Sequence, residues 1–316
     1  MSIHRPYSVP MPKGIKNTRV KEWESFIIQD DRYYLQAKLS NLKYYRTAFV
    51  IIYDRETKKR LEFKKAIPGG AWKLPRFLNN AMVESKSYRF LFRIHTWLDT
   101  NNIHLELNVE KTRNRPAFTA QATFDLVKGN TTPMAVSLLF SERRNMYAFK
   151  ALTAVSGDLV SEKQHIRFDP AKTIGLFCDF KGYYPYRMQS TWVTAMGFDS
   201  LGRRFGISLG ENQARESFKN NENALWLDGQ LTPLPPVKIT RNGNPSSDWI
   251  IQDMEGMVDL VFTPKELGHD SSNSILSGSD YEYSLGFFNG IVLNSAGEEI
   301  PVRNVWGAGE KLYLRI

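Results

Sequence analysis

Apolar and polar residues alternate along much of this chain. From Tyr33 to Ser40 nearly every second residue is apolar, and the stretch 103–110 repeats the alternation more regularly. The run Tyr88–Ile94 alternates too, and turn-forming residues at 99–102 separate it from the stretch that follows. Because successive side chains of a strand point to opposite faces, these patterns predict half-buried strands. The strands predicted at Tyr88–Ile94 and 103–110 are expected to form an antiparallel hairpin.

Further strands are predicted in other apolar or alternating runs. These runs are Ala48–Tyr53, Ala122–Val127, Met134–Phe140, Ile174–Phe180, Val258–Phe262 and Phe287–Leu293. Apolar spacing of three and four residues, typical of helices, is rare, and one short helix is predicted around Asn80–Lys86. Many short strands divided by turns, without regular intervening helices, predict an all-β protein built as an antiparallel barrel or sandwich.

The length of the chain favours two domains. Its 316 residues exceed what one small core usually organises, so two domains are favoured over one large β body. The polar, turn-rich interval Ser156–Pro170 is the best boundary. It predicts domains at residues 1–165 and 166–316.

The composition of the chain indicates which compartment and which partners to expect. Cys178 is the only cysteine, which excludes an intramolecular disulfide and a thiolate zinc cluster and favours a reducing, cytoplasmic location. We find no apolar run typical of a signal peptide or a membrane-spanning helix. The net charge is +9, but the basic residues lie in short groups such as Lys58–Arg60, in predicted turns near acidic residues. This distribution disfavours specific nucleic-acid binding and leaves peripheral contact with acidic surfaces open.

The segment from Phe168 to Gly229 is the most distinctive part of the chain. It contains GYYPYR at 182–187, DSLGRRFGISLG at 199–210 and NENALWLDG at 221–229. With KEWESFIIQDDRYY near the N-terminus, SERRNMYAFKALTAVSGDL at 141–159 and VDLVFTP at 258–264, these runs resemble the family of the domain of unknown function 2804. The resemblance covers the chain from about Lys21 to its end.

The resemblance implies a more specific architecture than the alternation does. The family is similar, more remotely, to the carotenoid hydratase and tocopherol cyclase group of tandem calycin-like proteins. This implies two lipocalin-like β barrels in tandem, with the distinctive segment in the second. The chain departs from the family pattern at Gln189, Ser190 and Thr191, where further arginine, tryptophan and asparagine residues are expected.

Asp179 is the first candidate for chemistry, because it interrupts the apolar strand LFCDF. A carboxylate in such a strand needs a partner or a raised pKa, and a buried acid beside a ligand protonates an alkene or a carbonyl. The alternative is an ion pair between Asp179 and Arg187. Tyr184 and Tyr186 would share one face of a strand, where they line a pocket or fill the contact between the barrels.

The remaining candidates surround this segment. Trp192 and Trp226 suit either a core or a ligand wall. The predicted strand Gly206–Gly210 is followed by Glu211 and Asn212, a polar pair expected at the mouth of a barrel. Gln189 lies close by on the chain. Glu222 is a turn residue, a second acid or a partner of an arginine, and the sequence leaves these alternatives open.

Motifs for metals and cofactors are missing from the sequence. The five histidines, His4, His95, His104, His165 and His269, show no metal-ligand spacing. His95 and His104 lie on facing strands of the predicted hairpin, where surface histidines are the simpler interpretation. We also find no phosphate-binding glycine loop, GxSxG elbow or HExxH helix. No cofactor and no metal are therefore expected.

Three hypotheses about function follow. In the first, a barrel binds a small, largely apolar molecule such as a lipid or an isoprenoid. In the second, the protein is a hydratase, cyclase or isomerase without a cofactor. Asp179 then acts as the acid, Tyr186 or Arg187 stabilises developing charge, and Trp192 shapes the pocket. In the third, the barrels are filled and the protein has a structural or interaction role.

Overall fold

The computed structural model describes residues 19–43, 46–67, 75, 77–113, 116–162, 164–273 and 277–315. Antiparallel strands make up most of these ranges, which also include a 3-10 turn at Leu98–Thr100. No helix in the described part of the chain is long and apolar enough to cross a membrane. The predicted all-β fold class is confirmed.

The first sheet has twelve strands. They are β1 (Val20–Gln29), β2 (Tyr33–Asn41), β3 (Arg46–Asp54), β4 (Lys59–Ala66), β5 (Ala81–Ser87), β6 (Phe90–Trp97), β7 (Asn102–Val109), β8 (Phe118–Asp125), β9 (Met134–Ser141), β10 (Arg144–Ser161), β11 (His165–Phe168) and β12 (Ile174–Tyr183). The spatial order is β4-β3-β2-β1-β12-β10-β8-β7-β6-β5, and β9 and β11 both pair with β10. The first strand of the sheet in sequence therefore lies beside the last.

The second sheet has nine strands. They are β13 (Arg187–Phe198), β14 (Arg204–Asn212), β15 (Ala224–Leu227), β16 (Gln230–Pro233), β17 (Val237–Arg241), β18 (Trp249–Asp253), β19 (Val258–Asn273), β20 (Gly278–Leu293) and β21 (Glu299–Arg315). Their order is β16-β15-β14-β13-β21-β20-β19-β18-β17. Both sheets are curled, and each forms a half-barrel.

The chain folds into two compact units. Of the described residues, the first unit takes those between 19 and 133 and the segment Phe149–Gly182. The second unit takes Met134–Ala148 and the chain from Tyr183 onward. The long strand β10 thus contributes its beginning to the second unit and its remainder to the first.

The hairpin predicted from alternation is present. β6 and β7 pair in antiparallel register, with Ile94 opposite Leu105, and the connection between them contains the 3-10 turn. The helix predicted around Asn80–Lys86 is wrong, because these residues lie in and just before β5, which pairs with β6. Ser85 is a polar residue on the buried face of β5, so it hid the alternation there.

The concave side of the second sheet is filled by a packed core. Its buried residues come from both ends of the sheet and include Val193, Leu225, Trp249, Phe262 and Phe288. The ring of Phe262 stacks on the ring of Phe288, with centroids 4.5 Å apart. The ring of Trp249 meets the Phe262 ring edge-on, with centroids 5.4 Å apart. This part of the interior is packed side chains rather than a large cavity.

The curl of the second sheet brings the strand at one edge back to an inner strand. Glu211 on β14 accepts hydrogen bonds from the Ile239 backbone N–H at 2.9 Å and from Lys238 Nζ at 2.6 Å, both on β17. A single carboxylate therefore joins β14 to β17, where no strand ladder connects them.

Candidate functional site

The neighbouring strands β1 and β12 of the first sheet bury several charged side chains. Glu22, Glu24, Asp179 and Lys181 are only 5%, 1%, 5% and 7% exposed. We call these four residues the acid cluster. Burying a charge is costly unless it is paired or neutralised, so the cluster needs a physical explanation.

The acid cluster shares one face of the sheet with aromatic core residues. Its glutamates are two residues apart on β1 and continue to Phe26, and Asp179 and Lys181 follow Phe177 with the same spacing on β12. The rings of Phe26 and Phe177 are 4.9 Å apart, and Phe26 also meets Phe124 at 5.3 Å. The carboxyl groups therefore lie on the same side of the strands as a set of fully buried phenyl rings.

Lys181 neutralises one member of the cluster. Its Nζ lies 3.2 Å from Glu22 Oε1 and donates a hydrogen bond to the Pro75 backbone carbonyl at 3.0 Å. Lys43 Nζ lies 3.5 Å from the same Glu22 oxygen. The Glu22 carboxyl group thus lies between two ammonium groups.

Glu24 and Asp179 are in a different electrostatic situation. Burial raises the pKa of Asp179 to about 7, and the Glu22 charge adds to this while Lys181 opposes it. Burial likewise raises the pKa of Glu24 well above its usual value, and Asp179 and Glu22 add to the effect. Glu24 Oε2 is buried and has no hydrogen-bond partner among the residues that the structure describes. Because the pKa values of both carboxyl groups are raised, the pair retains a proton near neutral pH.

The charged neighbours of Asp179 are therefore Lys181, Glu22 and Glu24, all in the first unit. Arg187, the alternative partner that the sequence suggested, begins β13 in the second unit and is exposed. Sequence reasoning missed the two glutamates of β1. It had a signal for Lys181, which lies two residues after Asp179 on the same strand and hence on the same face.

The tyrosine-rich run before Arg187 does not continue the strand. β12 ends at Tyr183 and β13 begins at Arg187, so the sharing of one strand face by Tyr184 and Tyr186 is wrong. Tyr184 is buried and packs against Phe140 with ring centroids 5.7 Å apart, whereas Tyr186 is 45% exposed. The proline between the two tyrosines has no N–H for a strand ladder, in keeping with a connection at this point.

Three of the candidate binding residues meet in the second unit. Glu222 Oε1 accepts hydrogen bonds from Trp192 Nε1 at 3.1 Å and from Asn212 Nδ2 at 2.9 Å. Gly210 lies opposite Trp192 in the ladder, and a Cβ there would come within 2.9 Å of that Glu222 oxygen. The glycine thus leaves room for the buried carboxylate.

The neighbouring Asn223 completes this second cluster. Its Oδ1 accepts the Gly210 N–H at 2.7 Å, and its Nδ2 donates to the Pro235 carbonyl at 2.8 Å. Trp226 is fully buried on β15, while Gln189 is exposed and its N–H donates to the Gln213 side chain. The hydrogen bonds of Glu222 and Asn223 connect the loop before β15 to its neighbours and thereby fix its position.

We expect Trp192→Phe to lower the free energy of unfolding by about 1–3 kcal/mol, because it removes a donor from the buried Glu222 carboxylate. Denaturant unfolding would measure the loss. Trp97→Phe is the matched control, since Trp97 is 39% exposed. Equal stability of the two variants would show that the Trp192 hydrogen bond does not contribute.

The two hairpin histidines face each other but do not form a metal cluster. His95 lies directly opposite His104, and the Trp97 ring meets them edge-on at 4.7 and 4.9 Å. His104 Nδ1 is 3.0 Å from Thr123 Oγ1. The described residues contain no group of three or more potential metal-binding side chains. His4 lies outside the described residues.

The sequence profile of the family described as "Domain of unknown function (DUF2804)" matches residues 7–316. The chain belongs to this family. A comparison of this DUF2804 chain with curated proteins finds no match. The predicted family is confirmed.

Two solved structures share the fold of this DUF2804 chain. One is CghA with Sch210972, with a TM-score of 0.59 and 11% identity over 97% of this chain and 94% of that one. The other is kievitone hydratase from Nectria haematococca, with a TM-score of 0.56 and 15% identity over 99% of this chain and 97% of that one. At these identities the likeness shows the fold.

Proposed function

We propose that this protein is an enzyme without a cofactor that transfers a proton to a small, largely apolar molecule, as hydratases, cyclases and isomerases do. The observation that carries the proposal is the buried pair of Asp179 and Glu24, whose pKa values are raised so that the pair retains a proton near neutral pH. A carboxyl group that is still protonated near neutral pH is available as a general acid. The fold shared with kievitone hydratase supports the same class of chemistry.

The members of the acid cluster have different roles in this scheme. Asp179 gives its proton to an alkene or a carbonyl, and Glu24 is a second buried carboxyl group with a raised pKa beside it. In a hydration, the proton adds to one alkene carbon and the oxygen of water adds to the other. One of the two protons of the added water then returns to the Asp179 carboxylate, and the other stays in the new hydroxyl group. The acid is thus restored, and the substrate has gained one water molecule.

The Lys181–Glu22 pair has a separate role in this scheme. Its Lys181 charge opposes the effect of burial on Asp179, its Glu22 charge adds to that effect, and the pKa of Asp179 is about 7. A pKa near the working pH is the best compromise for a group that both donates and recovers a proton. Lys181 therefore adjusts the acid without touching the substrate.

An experiment in heavy water tests this function. We expect small apolar molecules in an extract, incubated with the purified protein in D2O, to gain deuterium by mass spectrometry. The Asp179→Asn protein should leave them unchanged, because it has no carboxyl proton to transfer. Asp248→Asn, at an exposed aspartate, is the matched control and should behave like the native protein.

A direct measurement of the proton accompanies the assay. Infrared difference spectra should contain a protonated-carboxyl band near neutral pH that disappears in Asp179→Asn and persists in Asp248→Asn. If that band is absent from the native protein, or if deuterium transfer survives in Asp179→Asn, the proposed function is wrong.

A further inference from the structure

A separate cleft opens in the second unit. It has a volume of about 330 Å³ and lies between β17 and the hairpin of β19 and β20. Its lining includes Arg241, Leu267, His269, Glu282 and Ser284. The volume falls within the range of small-molecule sites.

Arg241, which lines the cleft, lies against the packed core of the second sheet. Arg241 lies opposite Trp249 in the ladder of β17 and β18, and its guanidinium carbon is 5.5 Å from the Trp249 ring centroid. The arginine side chain is only 17% exposed. Stacking on a buried indole fixes the direction of its N–H donors.

One wall of the cleft is set by a close approach of two strands. Gly268 on β19 lies opposite Tyr283 on β20, and a Cβ at Gly268 would come within 1.9 Å of Tyr283 Cζ. The absence of a side chain lets the tyrosine ring cross the glycine. Tyr283 is 3% exposed, so this wall is rigid and largely apolar.

The charges around the cleft balance each other. Arg241 Nη2 donates to Glu282 Oε2 at 2.8 Å, and His269 Nε2 is hydrogen-bonded to Asp280. Each basic side chain thus has an acidic partner. An anionic ligand would face both carboxylates, and a cationic ligand would face the guanidinium, so either charge lowers the affinity.

We propose that this cleft binds a small neutral molecule with an apolar body and a hydroxyl or carbonyl oxygen. That oxygen accepts a hydrogen bond from the N–H groups of Arg241 that do not reach Glu282, and a hydroxyl also donates to the Glu282 carboxylate. Leu267 and Pro245 cover the apolar body. The site is independent of the acid cluster, which belongs to the first unit.

Three probes of one shape and different charge test the ligand class. They are 2-naphthol, 2-naphthoate and the 2-naphthylmethylammonium ion, titrated into the full chain near neutral pH by calorimetry. We expect 2-naphthol to bind more tightly than either ion. Tighter binding of either ion, or no binding of 2-naphthol, would overturn the proposal.

Variants locate the binding in the cleft. Arg241→Met should weaken 2-naphthol binding by about tenfold or more, as the loss of a hydrogen bond to a charged group predicts. Arg303→Met, at an exposed arginine on β21, should bind as the native protein does. Leu267→Trp fills the cleft from a residue that is 42% exposed and should abolish binding without unfolding the protein. Unchanged binding by Leu267→Trp would place the probe elsewhere and contradict the proposal.

Discussion

Replacing Phe262 by alanine is expected to lower the free energy of unfolding by about 3–5 kcal/mol, the usual cost of deleting a buried aromatic ring. Phe262 has no exposed surface, and its ring packs on Phe288 and Trp249. The substitution would leave a cavity in place of the ring. The cavity would not collapse easily, because the backbone of two strands already lies against the ring. A Cβ at Gly286 or Gly309 would come within 3.0 or 2.8 Å of Phe262 atoms.

Val261→Ala provides the control for this substitution. Val261 precedes Phe262 on β19, points to the opposite face and is 37% exposed. Denaturant unfolding of both variants compares a core position with a surface position on one strand. A Phe262→Ala protein as stable as Val261→Ala would show that the aromatic stack is not the centre of the core.

The second large effect concerns pH. The pKa of Asp179 rises from its usual 3.8 to about 7 on folding, so between these values the folded state holds a proton that the unfolded state has released. Stability therefore falls as pH rises through this window, by a few kcal/mol at about 1.4 kcal/mol for each unit of pKa shift. Asp179→Asn should reduce this fall in stability with rising pH, and the raised pKa of Glu24 accounts for the part of the fall that remains.

Thermal unfolding from about pH 4 to about pH 8 measures this slope, which proton linkage relates to the titrating groups. The gain in stability of Asp179→Asn over the native protein should be largest at the alkaline end. Asp248→Asn should retain the native slope, since its side chain is exposed. A native slope in Asp179→Asn would mean that Asp179 ionises normally in the folded protein.

Local alternation and apolar runs were sufficient to predict nine of the 21 strands in the described part of the chain. The strands β2, β7 and β12 were visible because their apolar residues recur at every second position or form a continuous run. β5 was missed because Ser85, a polar residue, occupies a buried position on it. Period-two patterns fail where a small polar side chain fits the core as well as an apolar one does.

The candidate site was predictable only in part. Asp179 stood out as an acid in an apolar strand, and the cluster of Trp192, Asn212 and Glu222 lies within one distinctive stretch of sequence. Glu24 could not be connected with Asp179, because β1 and β12 lie at opposite ends of the first unit's sequence. One sequence shows which residues share a strand face, and it does not show which distant strand lies beside them.

The carboxylate of Glu211 also has a consequence for how copies of this protein meet. A strand at the end of a sheet exposes N–H and C=O groups on which another chain can pair and aggregate. Glu211 occupies the N–H of Ile239 on β17, and its contact with Lys238 keeps a charge at that border. A side chain from within the fold thus occupies one of the backbone donors that a strand added at this border would use.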